Sequence, residues 1–224
     1  METRTVGDPT TPTLLVVFGY GNRLDNPDET WFLDQLSTDY HVHAVALPTT
    51  VADFEAEYVG PLQRVHDRVA PTAIVGHSLG GLVAAHLRTD AARVYLSPWW
   101  GLPAAKVTRL ERWLVPRLPI SWPILPTKTR REELGAALSD AGWAAVPKRV
   151  APTTITAIEA GMQTRPPIDA DAVVFTTLAD TIVSHAAIAD AVTSDQIELY
   201  DGGHQLFSTA DRDAHLDRVA AALP

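Results

Sequence analysis

Short continuous apolar runs alternate along the chain with longer stretches whose apolar positions recur every three or four residues. The first run, 13–18, is closed by Gly19-Tyr20-Gly21 and reads as a strand buried on both faces. Residues 27–39 carry Trp31, Phe32 and Leu36 at near-helical spacing, with Asp28 and Glu29 where acids favour the positive end of a helix. A second apolar run, 42–47, is closed by Pro48. Residues 53–69 then present Phe54, Tyr58, Leu62, Val65 and Val69 on one helical face, in which Pro61 removes an amide and predicts a kink or two consecutive helices. Strands at 71–76 and 94–96 flank a small-residue helix over 79–88. Strands that are apolar throughout and interleaved with helices predict a parallel sheet covered on both faces.

From 98 to 152 the rhythm breaks. This stretch holds eight of the seventeen prolines and five of the six tryptophans. Helices fit 106–115 and 132–141, separated by a proline-broken apolar segment, 114–125. An excursion of this length after a strand reads as a cap over the sheet within one domain, 1–224, and not as a second domain. Alternation resumes with a strand at 171–176, a helix at 184–191, a strand at 196–200 and a closing helix at 209–222. The run 150–158 fits either a last cap helix or an approach to the sheet. About six parallel strands result.

Composition narrows the function classes. The 224 residues suffice for one core. The net charge of -9 repels phosphate backbones and anionic lipid, so the expected partner is a small molecule and not nucleic acid or a membrane. Only three of the eighteen basic residues are lysine, and such a carboxylate-rich, lysine-poor surface predicts a protein adapted to high ionic strength. Without cysteine there is neither a disulfide nor a thiolate nucleophile. No apolar run approaches the roughly 18 residues that span a bilayer, and the polar start is unlike a secretory leader, so a cytoplasmic location is expected. No cofactor is expected, because neither phosphate-binding glycine pattern is present, and no metal, because ligand spacings such as His-Glu-x-x-His are missing.

The most specific chemical signal is Gly76-His77-Ser78-Leu79-Gly80-Gly81, directly after an apolar strand and before a helix. Gly-x-Ser-x-Gly in that context is a strained strand-to-helix turn that raises a serine into a cleft, whereas the bland reading is a tight turn with a capping serine. The Leu79 amide then points where a substrate oxyanion would form. A serine nucleophile needs a base, and the base needs a group that holds its tautomer. His204, on the loop Asp201-Gly202-Gly203-His204, and Asp180, past the strand 171–176, sit beyond the carboxyl ends of strands, where ligand sites form. Asp201 rivals Asp180, but on the same loop it has to fold back under the ring. The amide of Tyr20 is the expected second oxyanion donor, with Gly19 or Gly21 as alternatives. Gly19, His77, Trp99 and Trp100 stand beside the cleft as candidate substrate contacts, and Trp113, Trp122 and Trp143 either line an apolar pocket or glue the cap to the body. The remaining histidines read as surface or ordinary packing.

Phe18-Gly19-Tyr20-Gly21, the turn 76–81, Asp180 and Gly203-His204, in this order, resemble the α/β-hydrolase superfamily over nearly the whole chain. The resemblance implies a three-layer α/β-hydrolase fold with Ser78 as nucleophile, Asp180 as triad acid and His204 as base. It also implies Leu79 and Tyr20 as oxyanion donors and a variable cap where 98–152 falls. The family's sheet usually opens with an antiparallel hairpin, for which the twelve residues before Thr13 leave little room, so a trimmed sheet is expected. The implied activity is hydrolysis of a carboxylic ester through an acyl-enzyme. The alternatives are acyl transfer, thioester or carbon–carbon hydrolysis, or a non-catalytic binding protein on this scaffold.

Overall fold

The apolar runs become one seven-stranded sheet in the computed structural model, which describes residues 1–103, 115 and 118–224. Its strands are β1 (Glu2–Val6), β2 (Thr13–Val17), β3 (His41–Ala46), β4 (Ala73–His77), β5 (Ala92–Leu96), β6 (Val173–Thr176) and β7 (Ile197–Leu199), in the order β1-β3-β2-β4-β5-β6-β7. From β3 to β7 every neighbouring pair is parallel. Side chains alternate across a strand, and β2 shows how one run serves two cores. Leu14 and Val16 pack with Phe32, Leu33 and Leu36 of helix α1 (Pro27–Leu36) on one face, while Leu15 and Val17 pack with Tyr58, Leu62 and Leu82 on the other.

The polar leader departs from the expectation of a trimmed sheet. Glu2–Val6 forms β1, antiparallel to β3 with Thr3 opposite Val45. It escapes an apolar pattern because it is an edge strand, mostly exposed and carrying Glu2 and Arg4, the kind of charge that blunts a sheet edge.

Pro61 acts as expected. A π-helical turn, Glu55–Val59, runs directly into α2 (Gly60–Val69), which leaves Pro61 in the first turn of α2, where no amide is needed. Helix α3 (Leu79–Ala85) follows β4 at once and is buried throughout.

Between β5 and β6 the described residues form a short ribbon, Leu125–Pro126 paired with Arg149–Val150, and the helices α4 (Arg131–Leu134), α5 (Asp140–Ala145) and α6 (Pro152–Thr164). The single helix expected over 132–141 is thus two, and Ser139 caps the second by accepting from Gly142 N at 2.9 Å. Asp28 of α1 binds both the amide and the hydroxyl of Ser139, tying α5 to the body. The ambiguous run 150–158 begins α6, whose buried Thr154 hydroxyl bridges Val51 N and O. The helix expected over 106–115 lies, apart from Val115, outside the described residues. Helices α7 (His185–Ala189) and α8 (Arg212–Ala221) complete the alternation.

The chain passes from β2 outward to β3 and returns to β4 on the other side of β2. That reversal opens a crevice at the carboxyl ends of β2 and β4, the usual ligand position in such sheets.

Candidate active site

Ser78 follows β4 with φ 52° and ψ -120°, a conformation that costs an L residue on the order of 1–3 kcal/mol and survives only where its surroundings over-determine it. Here they do. Ser78 N donates to Leu96 O at 3.0 Å, and Ser78 O accepts from Trp99 N at 2.9 Å and Leu82 N at 3.2 Å. Gly80 lets the turn close, because a Cβ there would overlap Val17 O at the end of β2. Ser78 is thereby held in the wall of a mainly apolar cavity of about 270 Å³, which His77, Trp99, Tyr20 and His204 also line.

His204 is buried, and its Nδ1 lies 2.7 Å from Asp180 Oδ2. Asp180 Oδ1 accepts from Ile182 N at 2.7 Å and Val183 N at 3.2 Å. Burial pushes the Asp180 carboxyl up, but the attraction of His204, its hydrogen bond and the two amides outweigh that and hold it at about 2. An ionised Asp180 accepts from Nδ1–H, which assigns the other nitrogen, Nε2, as the free base. Asp201 is exposed and offers only its carbonyl, to His215 Nε2 at 2.8 Å. Among the described residues no hydrogen bond joins Ser78 Oγ to His204; such contacts commonly tighten only when substrate binds.

The loop after β2 stands against the serine turn. A Cβ on Gly19 would sit 2.8 Å from Ser78 Cβ, 3.0 Å from His77 Nδ1 and 3.1 Å from Asn22 Oδ1. Among the described residues neither the Tyr20 nor the Leu79 amide has a hydrogen-bond partner, so both donors remain free. The Tyr20 phenol, pushed up to about 12 by burial, donates to Thr49 O at 3.1 Å.

His77 is buried against His204 and Phe207, with ring centroids 5.1 Å away in each case. Burial drives its pKa well below the usual range, so it is neutral, and neither ring nitrogen has a partner among the described residues.

The tryptophans separate. Trp99 lines the cavity, but Trp100 turns into the core against Tyr95 and does not line it. Trp143 lies under Lys148, Trp122 is 76 % exposed, and Trp113 lies outside the described residues.

Several supports escaped the sequence reading. Glu133 of α4 accepts the Thr181 hydroxyl at 2.7 Å, beside Asp180, while its carbonyl accepts His204 N at 2.9 Å. The Tyr200 hydroxyl lies 2.8 Å from Gly203 O and 3.0 Å from Ser97 Oγ, pinning the loop that carries His204. A tyrosine closing the apolar run 196–200, four residues before His204, is the one signal that could have pointed there. Asn22 Nδ2 donates to Glu29 Oε1 at 2.6 Å, and burial raises the Glu29 carboxyl above its ordinary range. Both residues line the cavity. Among the described residues no group of His, Cys, Asp or Glu is arranged to hold a metal ion, and no helix is long and apolar enough to cross a membrane.

Residues 16–222 match the model of a family described as the alpha/beta hydrolase family. A search of curated proteins finds no match. Among solved structures, a monoacylglycerol lipase from Paleococcus ferrophilus superposes with a TM-score of 0.75 at 17 % identity, over 99 % of this chain and 98 % of that one. A soluble variant of a monoglyceride lipase from Saccharomyces cerevisiae gives 0.75 at 15 % identity, over 98 % and 89 % of the two chains. An esterase from Rhodococcus sp. ECU1013 gives 0.60 at 20 % identity, over 98 % and 92 %. At these identities the likeness is one of fold.

Proposed function

The chain belongs to the alpha/beta hydrolase family, and from that premise we propose that it hydrolyses a carboxylic ester of a small molecule through a serine acyl-enzyme. The observation that carries this reading is a serine on a strained turn lining one mainly apolar cavity together with His204, whose Nδ1 lies 2.7 Å from buried Asp180.

Ser78 Oγ attacks the ester carbonyl carbon as its proton passes to His204 Nε2. The oxyanion is received by the amides of Leu79 and Tyr20, and the imidazolium is stabilised by ionised Asp180. His204 then returns the proton to the departing alkoxide. In the second half-reaction water attacks the acyl-serine, giving a proton to His204, and Ser78 regains it as the acid leaves. His77, neutral and packed beside His204, adds no competing charge.

An uncharged ester of short or medium chain fits a mainly apolar cavity of about 270 Å³ into which the carboxyl-bearing side chains of Glu29 and Glu159 also face. The neighbours named as lipases and esterases support ester chemistry of this kind. A panel of p-nitrophenyl esters of rising chain length, with thioester analogues, tests the reading. Turnover of short and medium esters, lost in Ser78→Ala, is expected. Faster cleavage of the thioesters, or equal activity in Ser78→Ala, would overturn it.

A further inference from the structure

Averaged over the chain, the charge of -9 argues against an anionic partner, but the charge is not evenly spread. Residues 98–152 hold nine of the eighteen Lys and Arg, all three lysines included, against four of the 27 acids. That segment is formally +5 and the rest of the chain -14.

Within it the ribbon Leu125–Pro126/Arg149–Val150 pairs Leu125 with Val150 and Pro126 with Arg149. Leu125, Pro126 and Val150 line the cavity, while Ile124 before the first strand and Arg149 opposite Pro126 are exposed. Ile124 is 40 % exposed and Trp122 76 %, the most exposed large apolar side chain among the described residues. Arg149 Nη1 donates to Ile124 O at 3.1 Å, which sets a guanidinium beside these apolar groups. Lys148 lies over the Trp143 ring. Among the described residues neither Lys148 nor Arg149 is paired with a carboxylate, whereas Arg130 and Arg131 are.

We propose that the exposed side chains around this ribbon dock the protein onto an anionic lipid surface. Trp122 and Ile124 enter the headgroup region, while Lys148 and Arg149 meet lipid phosphates and carboxylates. The combination favours lipid over a folded partner. An exposed tryptophan followed by proline and isoleucine suits the half-wet boundary of a bilayer. The same ribbon walls the apolar cavity, and an apolar ester is most concentrated in lipid. Docking is independent of turnover, so its failure and that of the proposed hydrolysis are distinguishable.

The test is flotation of the full chain with vesicles of phosphatidylcholine alone or with about 30 % phosphatidylserine, at low and high salt. Binding to the anionic vesicles, weakened by salt, is expected. Lys148→Ala with Arg149→Ala should lower partitioning on the order of 25-fold, about fivefold per charge. Trp122→Ala should lower it about tenfold through lost apolar burial. Unfolding midpoints and hydrolysis of a soluble ester should stay at wild-type values in both variants. No binding by the wild type, equal binding by the variants, or a dimer seen by light scattering that the double variant abolishes would each overturn the proposal.

Discussion

Glu133→Ala probes how the candidate site is held. The side chain is only 7 % exposed, and it accepts both the Thr181 hydroxyl at 2.7 Å and Arg130 N at 2.8 Å. Hydrogen bonds to a charged group contribute roughly 1.5–3 kcal/mol each, so losing both, with some recovery by water, should cost about 3 kcal/mol of stability. The functional cost follows from position. Thr181 adjoins Asp180, and the Glu133 and Leu134 carbonyls accept His204 N and Gln205 N at 2.9 and 2.8 Å. One short helix thus grips the loops that carry Asp180 and His204. A displacement of about 1 Å at a reacting group costs on the order of 100-fold in rate, so kcat should fall about that far with KM little changed. Glu133→Gln retains one acceptor oxygen and should fall between, near tenfold. Glu132→Ala, whose side chain is 68 % exposed, is the control and should behave as wild type. Steady-state kinetics on a p-nitrophenyl ester and urea unfolding give the two readouts. A Glu133→Ala protein that loses the stability yet keeps kcat within about twofold of wild type would refute the positioning role.

Three further outcomes are expected. Asp180 is held at about 2 against an ordinary 3.8, so ionisation favours the folded state above about pH 4 and contributes roughly 2 kcal/mol, which is lost as the pH falls towards 2. In Asp180→Asn the unfolding free energy should vary less over that window, and an unchanged pH profile would count against the pairing. Gly80→Ala should destabilise by 3 kcal/mol or more, on the order of other severe overlaps, because its Cβ meets Val17 O; a wild-type melting temperature would mean that β2 and the serine turn are free to separate. The 27 acids against 18 bases, of which three are lysine, lead to a higher unfolding midpoint in about 3 M than in about 0.1 M salt, and equal midpoints would sink the salt-adaptation proposal.

The inner parallel strands were legible because burial on both faces leaves an unmistakable apolar run, as in Thr13–Val17. β1 was not, since an edge strand exposed on one side needs no such run. The break between α4 and α5 had a local cause, Gly135 and the Ser139 cap, that the apolar spacing of 132–141 concealed. In the site, Ser78 announced itself through turn spacing, and His204 and Asp180 through their places beyond strand ends. Trp99 and Trp100 show the limit of that reasoning: adjacent residues past one strand face opposite ways, one to the cavity and one to the core. The supports were harder still. Glu133 reaches Thr181 across 48 positions, and the Tyr200 hydroxyl meets Ser97 across 103, contacts that no local periodicity encodes.

The central claim is that Ser78 is the nucleophile, and covalent labelling by a fluorophosphonate tests it most directly. One adduct per chain, located on Ser78 by peptide mass spectrometry, lost in Ser78→Ala and slowed in His204→Ala, is the expected result. Failure of the folded protein to label, or labelling that persists in Ser78→Ala, would contradict it.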